Sequence, residues 1–147
     1  MNTRSRLDTI SSTLANLFQQ SGETQRRRAA IAACVVAVAQ TGLSGEDVDA
    51  ALALLCREDG DWSAIQHNLS KLSERFDKQY LDLFEAAGQE MTPEALLRFR
   101  KARAASALAF GLSAGSEELH EAIYEAIVAS EKQAEALQAA EMALKVR

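Results

Sequence analysis

The chain has 147 residues, of which 48% are hydrophobic and 25% are charged, and its formal net charge is −5. These proportions are typical of one folded domain of ordinary size, and they exclude an intrinsically disordered chain. The acidic balance also argues against nucleic acid as a partner, because nucleic-acid binding usually needs a basic face. We therefore expect a single helical domain over residues 1–147.

The composition contains few residues that break helices. Pro93 is the only proline, aromatic residues make up 5% of the chain, and alanine is abundant. Such a composition favours helix almost everywhere, and alanine lets neighbouring helices approach closely. We predict an all-α fold, a compact bundle of about six helices built from helix hairpins around one long central helix at about 62–87.

The first two predicted helices lie between residues 3 and 41. Apolar residues at spacings of three and four predict a helix from about Thr3 to Gln20, which Ser21-Gly22 ends. A second helix, from about Glu23 to Thr41, is apolar on several sides, which predicts a buried helix. Its inner face is predicted to comprise Ile31, Cys34, Val35 and Val38.

One turn sequence occurs twice in the chain. Gly42-Leu43-Ser44 and Gly111-Leu112-Ser113 each follow an alanine-rich apolar run and precede an acidic amphipathic segment. In both copies we expect the glycine to end a helix in the left-handed conformation, and the leucine to fold back on that helix. The serine is expected to cap the next helix. The two turns therefore predict two antiparallel helix hairpins.

A long helix is predicted for the middle of the chain. A short helix from about Gly45 to Arg57 is followed by the break Asp59-Gly60-Asp61, and Asp61 is predicted to cap a helix from Trp62 to Ala87. Apolar residues follow a heptad along this helix, with Gln79 as the one polar interruption. The heptad predicts either a contact with the core or a seam with a second chain. Its members are Trp62, Ile65, Leu69, Leu72, Phe76 and Leu83.

Two further helices are predicted for the remainder of the chain. Thr92 and Pro93 form a strong helix start, with a threonine cap and a proline in the first turn, and this helix extends to about Phe110. A sixth helix begins near Ser116. From about residue 130 to 147 it has fewer large apolar residues, so we expect an end that is free to project, to fray or to dock on a partner.

Neither cysteine belongs to a metal-type or redox motif. Cys34 and Cys56 are expected to be buried free thiols, although a disulfide between them is compatible with their positions on neighbouring helices. No secretory signal is visible, and the apolar run from Ala29 to Ala39 is only about half of the roughly 20 residues that span a bilayer. We therefore expect a cytoplasmic protein with no membrane contact.

DNA recognition is the alternative function that the sequence suggests. The spacing of Gly42-Leu43-Ser44, Val48 and Leu52 matches the turn of helix-turn-helix proteins, which would make this chain a DNA-binding regulator. The helix that would enter the groove, however, carries three carboxylates in its first turn. Carboxylates repel phosphates, so this function ranks second to protein binding.

Metal and catalytic sites are not expected. Glu117 and His120 have the one-turn spacing of di-iron bundles, but that site needs two such pairs, and Ala64 stands where His67 would need its glutamate. His120 is more simply explained as a surface residue. No glycine-rich phosphate loop is present, and no histidine has a legible catalytic partner. We therefore predict no catalytic residue, no metal and no cofactor.

The function that we favour is protein binding by a non-enzymatic domain of adaptor, chaperone, immunity or inhibitor type. The partner is expected to be another protein, and self-association as a homodimer is compatible with the long heptad. One arginine cluster begins the second predicted helix, where the helix dipole disfavours positive charge, and this placement suggests that the cluster is used. A second cluster lies on the fifth helix, so the two could form one composite basic face. The predicted partner-binding residues are Arg26, Arg27, Arg28, Arg98, Arg100 and Arg103.

Overall fold

Helices account for all the regular secondary structure in the described part of the chain, so the predicted all-α bundle is confirmed. The computed structural model describes residues 6–57, 62–113 and 115–146. The predicted helix start at Thr3 and the predicted cap Asp61 lie outside these ranges. The helices are α1 Arg6–Ile10, α2 Ser12–Gln20, α3 Glu23–Thr41, α4 Glu46–Leu54, α5 Ser63–Ala86, α6 Pro93–Gly111, α7 Ser116–Ala129 and α8 Gln133–Lys145.

Two of the predicted helices are each divided once, which explains why eight helices are described where about six were expected. The first divides at Ser11, whose backbone is extended and whose Oγ accepts a hydrogen bond from the Leu14 N–H at 3.1 Å. The sixth divides at Ser130, which is also extended. The Ser130 hydroxyl donates to the Ala126 carbonyl at 2.8 Å. Both serines therefore satisfy backbone groups that a helix end leaves unpaired.

The centre of the bundle is α3, which packs against α6, α7 and α8. Its contact with α8 is antiparallel. Near the start of α3, Gln25 donates to the Val146 carbonyl at 3.2 Å, and near its end Gln40 accepts from the Lys132 N–H at 2.8 Å. The segment from residue 130, whose docking the sequence leaves open, thus packs on the chain's own α3. The buried residues of α8 are Ala136, Ala140 and Leu144.

The long helix α5 stands midway along the chain but lies at the edge of the bundle. It packs mainly on α6 and also contacts α4. Leu69 and Ser73 are its buried residues. The predicted heptad contacts the main core as far as Phe76, whereas Leu83 does not belong to that core. The core interpretation of the heptad is therefore confirmed for its first five members, from Trp62 to Phe76.

The two Gly-Leu-Ser sequences have different structures. Gly42 has a left-handed φ of 70°, and its N–H donates to the Val38 carbonyl at 3.0 Å, as predicted. Gly111 is the last residue of α6 and does not have a positive φ, so the predicted left-handed turn is wrong there. A Cβ at Gly111 would lie 3.0 Å from Cδ2 of Leu55. The first glycine is needed for its backbone conformation, and the second is needed for the space it leaves.

Neither serine of these two turns caps a helix as predicted. Gly45, and not Ser44, is the N-cap of α4, and it provides no side-chain hydrogen bond. Ser113 instead accepts a hydrogen bond on its Oγ from Gln66 Nε2 at 2.8 Å. The second turn is therefore held to α5 by a side-chain contact that its own sequence does not indicate.

Both cysteines are free thiols, but only one of them is buried. Cys34 lies in the core, where burial raises the pKa of its thiol to about 12. Cys56 is exposed, so the prediction of two buried thiols is wrong at that position. Val35 was predicted to face inward and is 50% exposed. Consecutive helical residues point about 100° apart, so Val35 turns away from the side that buries Cys34.

Candidate functional site

The α5–α6 hairpin extends beyond the main core of the bundle. On α5 the last residue that packs against this core is Phe76, and on α6 the first is Ala104. Beyond them α5 continues to Ala86 and α6 begins at Pro93, so each helix extends about 15 Å past the core. We call residues 79–97 the hairpin tip.

The turn within the hairpin tip is built from local signals. Gly88 has φ 68° and Gln89 has φ 65°, so the chain reverses direction through two left-handed residues. The next helix starts as predicted: Thr92 caps α6 by accepting the Ala95 N–H at 3.1 Å, and a proline follows at the first helical position. These residues define a sharp end to the hairpin.

A second, smaller apolar cluster lies along this part of the hairpin. The ring centroids of Tyr80 and Phe99 are 5.5 Å apart, and those of Tyr80 and Phe84 are 6.0 Å apart. None of these three rings belongs to the main core of the described residues. Three further large apolar side chains of the hairpin tip are exposed to solvent. They are Leu81, Met91 and Leu97, which are 51%, 47% and 39% exposed.

Charges separate sharply along the hairpin. The tip contains four carboxylates and neither lysine nor arginine, and all four are exposed. The adjoining segments, residues 71–78 of α5 and 98–103 of α6, contain seven basic residues and two acidic ones. We call these two segments the basic band. The carboxylates of the tip are Asp82, Glu85, Glu90 and Glu94.

At the base of the hairpin, Arg103 joins α6 to α5 and α7. Its guanidinium lies 2.6 Å from Asp77 and 3.5 Å from Oε2 of Glu125. From the other side Arg6 lies 3.9 Å from Oε1 of Glu125 and 2.6 Å from Glu121. Burial raises the pKa of the Glu125 carboxyl, and the two arginines oppose that shift. These five residues form a charge network around the buried Glu125 carboxylate, and the network ties α1, α5 and α6 to α7.

His120 lies beside this network and not on the surface, so the predicted surface position is wrong. Its ring packs edge-on against Phe18, with the centroids 5.6 Å apart, and its Nδ1 lies 3.5 Å from Oε1 of Glu121. Burial lowers the pKa of His120, which favours the neutral ring. Within the described ranges no three histidine, cysteine, aspartate or glutamate side chains are placed to hold a metal ion.

A groove of about 440 Å³ lies between α5 and α6 next to the charge network. Asp77, Arg103 and four serines contribute to its wall. The hydroxyls of Ser73 and Ser106 lie 2.7 Å apart, and Ser73 donates to the Ala102 carbonyl at 2.9 Å. Neither histidine of the chain lines the groove, so these serines have no imidazole base beside them. Their hydrogen bonds instead hold the two helices together at the base of the hairpin.

The first predicted arginine cluster is partly used within the fold. Arg26 Nε donates to the Phe18 carbonyl at 2.7 Å, and its Nη2 donates to the Gln19 carbonyl at 3.0 Å. Arg26 thus satisfies the last carbonyls of α2, which explains a positive charge at the start of α3. Arg27 is half-buried and Arg28 is exposed.

The second predicted cluster belongs to the basic band. Arg98 lies 3.7 Å from Glu94, Arg103 is held in the charge network, and Arg100 is half-buried. Among the described residues no ion pair involves Arg100, and no contact brings the two predicted clusters together. A composite basic face therefore stays a prediction.

The hairpin tip and the charge network were both missed by reasoning from the sequence. The network joins Arg6, Asp77 and Glu125, which lie on three different helices far apart in the chain, so no local spacing could indicate it. The tip did leave a signal, because residues 79–97 contain four carboxylates and not one basic side chain.

No family model, no curated protein and no solved structure matches this chain. None of the helices in the described part of the chain is long and apolar enough to cross a membrane. Geometry and charge are therefore the basis for inferring its function.

Proposed function

We propose that this chain is a non-enzymatic, cytoplasmic protein-binding domain of adaptor, chaperone, immunity or inhibitor type, and that its binding surface is the hairpin tip. One observation carries the proposal: the hairpin leaves the main core after Phe76 and continues with an apolar cluster of its own. Leu81 and Leu97 expose much of their surface there. A partner that covered both would gain roughly 1 kcal/mol from each leucine, because about half of each side chain remains to be buried.

The base of the hairpin supports this function by holding the tip in place. Arg103 links α6 to Asp77 on α5 and to Glu125 on α7, and Ser73 bonds to α6 next to that link. A surface held in its binding geometry loses less conformational entropy on association, which improves affinity. The charge network therefore supports the tip in this proposal and has no catalytic role.

The charges favour protein over nucleic acid as the partner. The exposed carboxylates of the tip would repel phosphates, and α4 carries three carboxylates in its first turn. Beside the tip, Arg98 and Arg100 provide positive charge at the rim of the surface. Charges at a rim mainly set the association rate and the choice of partner.

Site-specific photo-cross-linking tests the proposal. A photoreactive amino acid at Leu97 should form a protein adduct, whereas the same group at Val35, which is more exposed but lies on α3, should not. The adduct at Leu97 should disappear when Leu81→Asp is added, and it should persist when Arg27 and Arg28 are changed to glutamate.

A folded chain that forms no adduct at Leu97 contradicts the proposed surface. An adduct that depends on Arg27 and Arg28 but not on Leu81 would instead favour the predicted basic face. Circular dichroism of each variant confirms that the helical fold is retained.

A further inference from the structure

We infer that the occupant of the hairpin tip is a second copy of this chain, packed antiparallel along α5. This inference rests on the proposed function, since it assigns a partner to the same surface. It is carried by the order of charges along the exposed face of α5.

That exposed face of α5 is mainly basic towards the base of the hairpin and acidic towards the tip. Apart from the exposed Glu74, which lies one helical turn from Lys71 and from Lys78, its charged residues recur at spacings of four and three, which places them on one side of a helix. All of them are exposed, and the exposed Leu81 lies between the basic part and the acidic part. In chain order the charged residues are Lys71, Arg75, Lys78, Asp82 and Glu85.

An antiparallel copy makes this face complementary to itself. If the two helices cross at Tyr80, Arg75 lies opposite Glu85 of the other copy and Lys78 lies opposite Asp82. A twofold axis generates each pair twice. The two Leu81 residues then lie within about 3 Å of each other along the helix direction, at the centre of the contact. A parallel copy would instead place like charges opposite each other.

The neighbouring helix repeats the same order. On α6, Glu94, Leu97 and Lys101 follow one another at spacings of three and four, so an acidic residue, an exposed leucine and a basic residue lie on one side. In both helices the carboxylate is nearer the turn and the cation is nearer the bundle. If two hairpins lie side by side with the tip of each next to the base of the other, acidic residues of one copy lie opposite basic residues of the other along both helices.

A second copy explains these features better than an unrelated partner does. An unrelated surface needs no fixed relation between the charges of the tip and those of the basic band, whereas a twofold contact requires one to complement the other. The face from Lys71 to Glu85 is only about 21 Å long and one helix wide, so the contact is small. We therefore expect a dimer that dissociates on dilution and weakens as salt is added.

Charge exchange between two variants tests the pairing. The mass of the unchanged chain should rise with concentration from 15.9 kDa towards twice that value in sedimentation experiments. Arg75→Glu/Lys78→Glu alone, and Asp82→Lys/Glu85→Lys alone, should each weaken the dimer at least about tenfold, because both contacts become repulsive. An equimolar mixture should restore the dimer, since every pair is again of opposite sign. Glu131→Lys, on the exposed connection before α8, is the control that should change nothing.

Cysteine cross-linking gives a second measurement that does not depend on charge. In a Cys56→Ser background, Leu81→Cys should form an intermolecular disulfide under mild oxidation with copper phenanthroline. Val35→Cys should not, although Val35 and Leu81 are 50% and 51% exposed and should collide equally often.

The outcomes separate this inference from the proposed function. A chain that stays monomeric throughout, with Leu81→Cys cross-linking no faster than Val35→Cys, overturns the second copy as the occupant. If a photoreactive group at Leu97 still forms an adduct with another protein, the tip remains a binding surface with a different partner. Loss of both the self-contact and the adduct overturns both proposals.

Discussion

Replacement of Glu125 would show whether the buried carboxylate in the charge network stabilises the fold or lowers its stability. The Glu125 carboxylate is buried, its two arginines are 3.5 and 3.9 Å away, and its Oε2 accepts no hydrogen bond in the described part of the chain. Glu125→Gln removes the charge and keeps the shape. We expect it to leave the free energy of unfolding at pH 7 within about 1 kcal/mol of the original value, or to raise it.

Arg103→Ala should be far more damaging than Glu125→Gln. Among the described residues it leaves the buried carboxylate with Arg6 as its only close cation, and such a loss costs about 3 to 5 kcal/mol in buried pairs. We expect the lower end of that range, because the Arg103 side chain is 22% exposed. A loss of about 3 kcal/mol corresponds to a fall of roughly 9 °C in Tm for a chain of this size.

The two variants should diverge as the pH rises. Burial raises the pKa of Glu125 above its ordinary value of 4.5 in the folded chain. Between the unfolded and the folded pKa the folded state therefore holds more protons, and the free energy of unfolding falls as the pH rises. The loss of stability caused by ionising the buried carboxyl is absent below the pKa of Glu125 in the unfolded chain. It is complete above the pKa of Glu125 in the folded chain. Above about pH 4.5 the free energy of unfolding of Glu125→Gln should thus rise relative to that of the original chain. That of Arg103→Ala should fall further as the pH rises, because Arg103 lowers the pKa of Glu125 and its loss makes ionisation more costly.

Urea unfolding followed by circular dichroism, from about pH 4 to about pH 7, measures both effects. The double variant Glu125→Gln/Arg103→Ala should recover most of the stability that Arg103→Ala loses, because no buried charge is then left unpaired. The reasoning is refuted if Glu125→Gln alone costs as much as Arg103→Ala at neutral pH and this cost grows as the pH rises. That result would mean that the ionised carboxylate is a net source of stability.

Two further predictions concern paired positions with different environments. Gly42→Ala should cost about 1 to 2 kcal/mol, because its φ is 70° and open space around it cannot relieve the strain. The effect of Gly111→Ala should instead depend on Leu55, because Leu55→Val should relieve the crowding around the new methyl group. The double variant should therefore be about 1 kcal/mol more stable than the sum of the single effects predicts, and additive changes in Tm would contradict this. Cys56 should react with a thiol reagent in the native chain, whereas Cys34, with its pKa raised to about 12, should react only after unfolding. Rapid reaction of both thiols in the absence of denaturant would be inconsistent with a buried Cys34.

Local sequence patterns determined where most helices begin and end. The predicted helix from Glu23 to Thr41 agrees with α3, and Thr92 with Pro93 starts α6 as expected. These signals act within one helical turn, through apolar spacing, capping and restricted φ, so they can be read without the rest of the chain. The division at Ser11 could not be read in this way, because the apolar spacing of Leu7, Ile10 and Leu14 continues through it. At Ser130 the large apolar residues become fewer, but that change alone does not place a helix end.

The tertiary structure alone decided which side chains are buried and what they contact. Arg103 meets Glu125, and Leu55 occupies the space beside Gly111, through contacts between helices that are remote in the sequence. Burial depends on how many neighbours such contacts bring together, which local spacing does not encode. The order of charges along α5 was therefore determined by the sequence itself. That this face stands clear of the core, where a partner can reach it, was decided by the packing of α5 at the edge of the bundle.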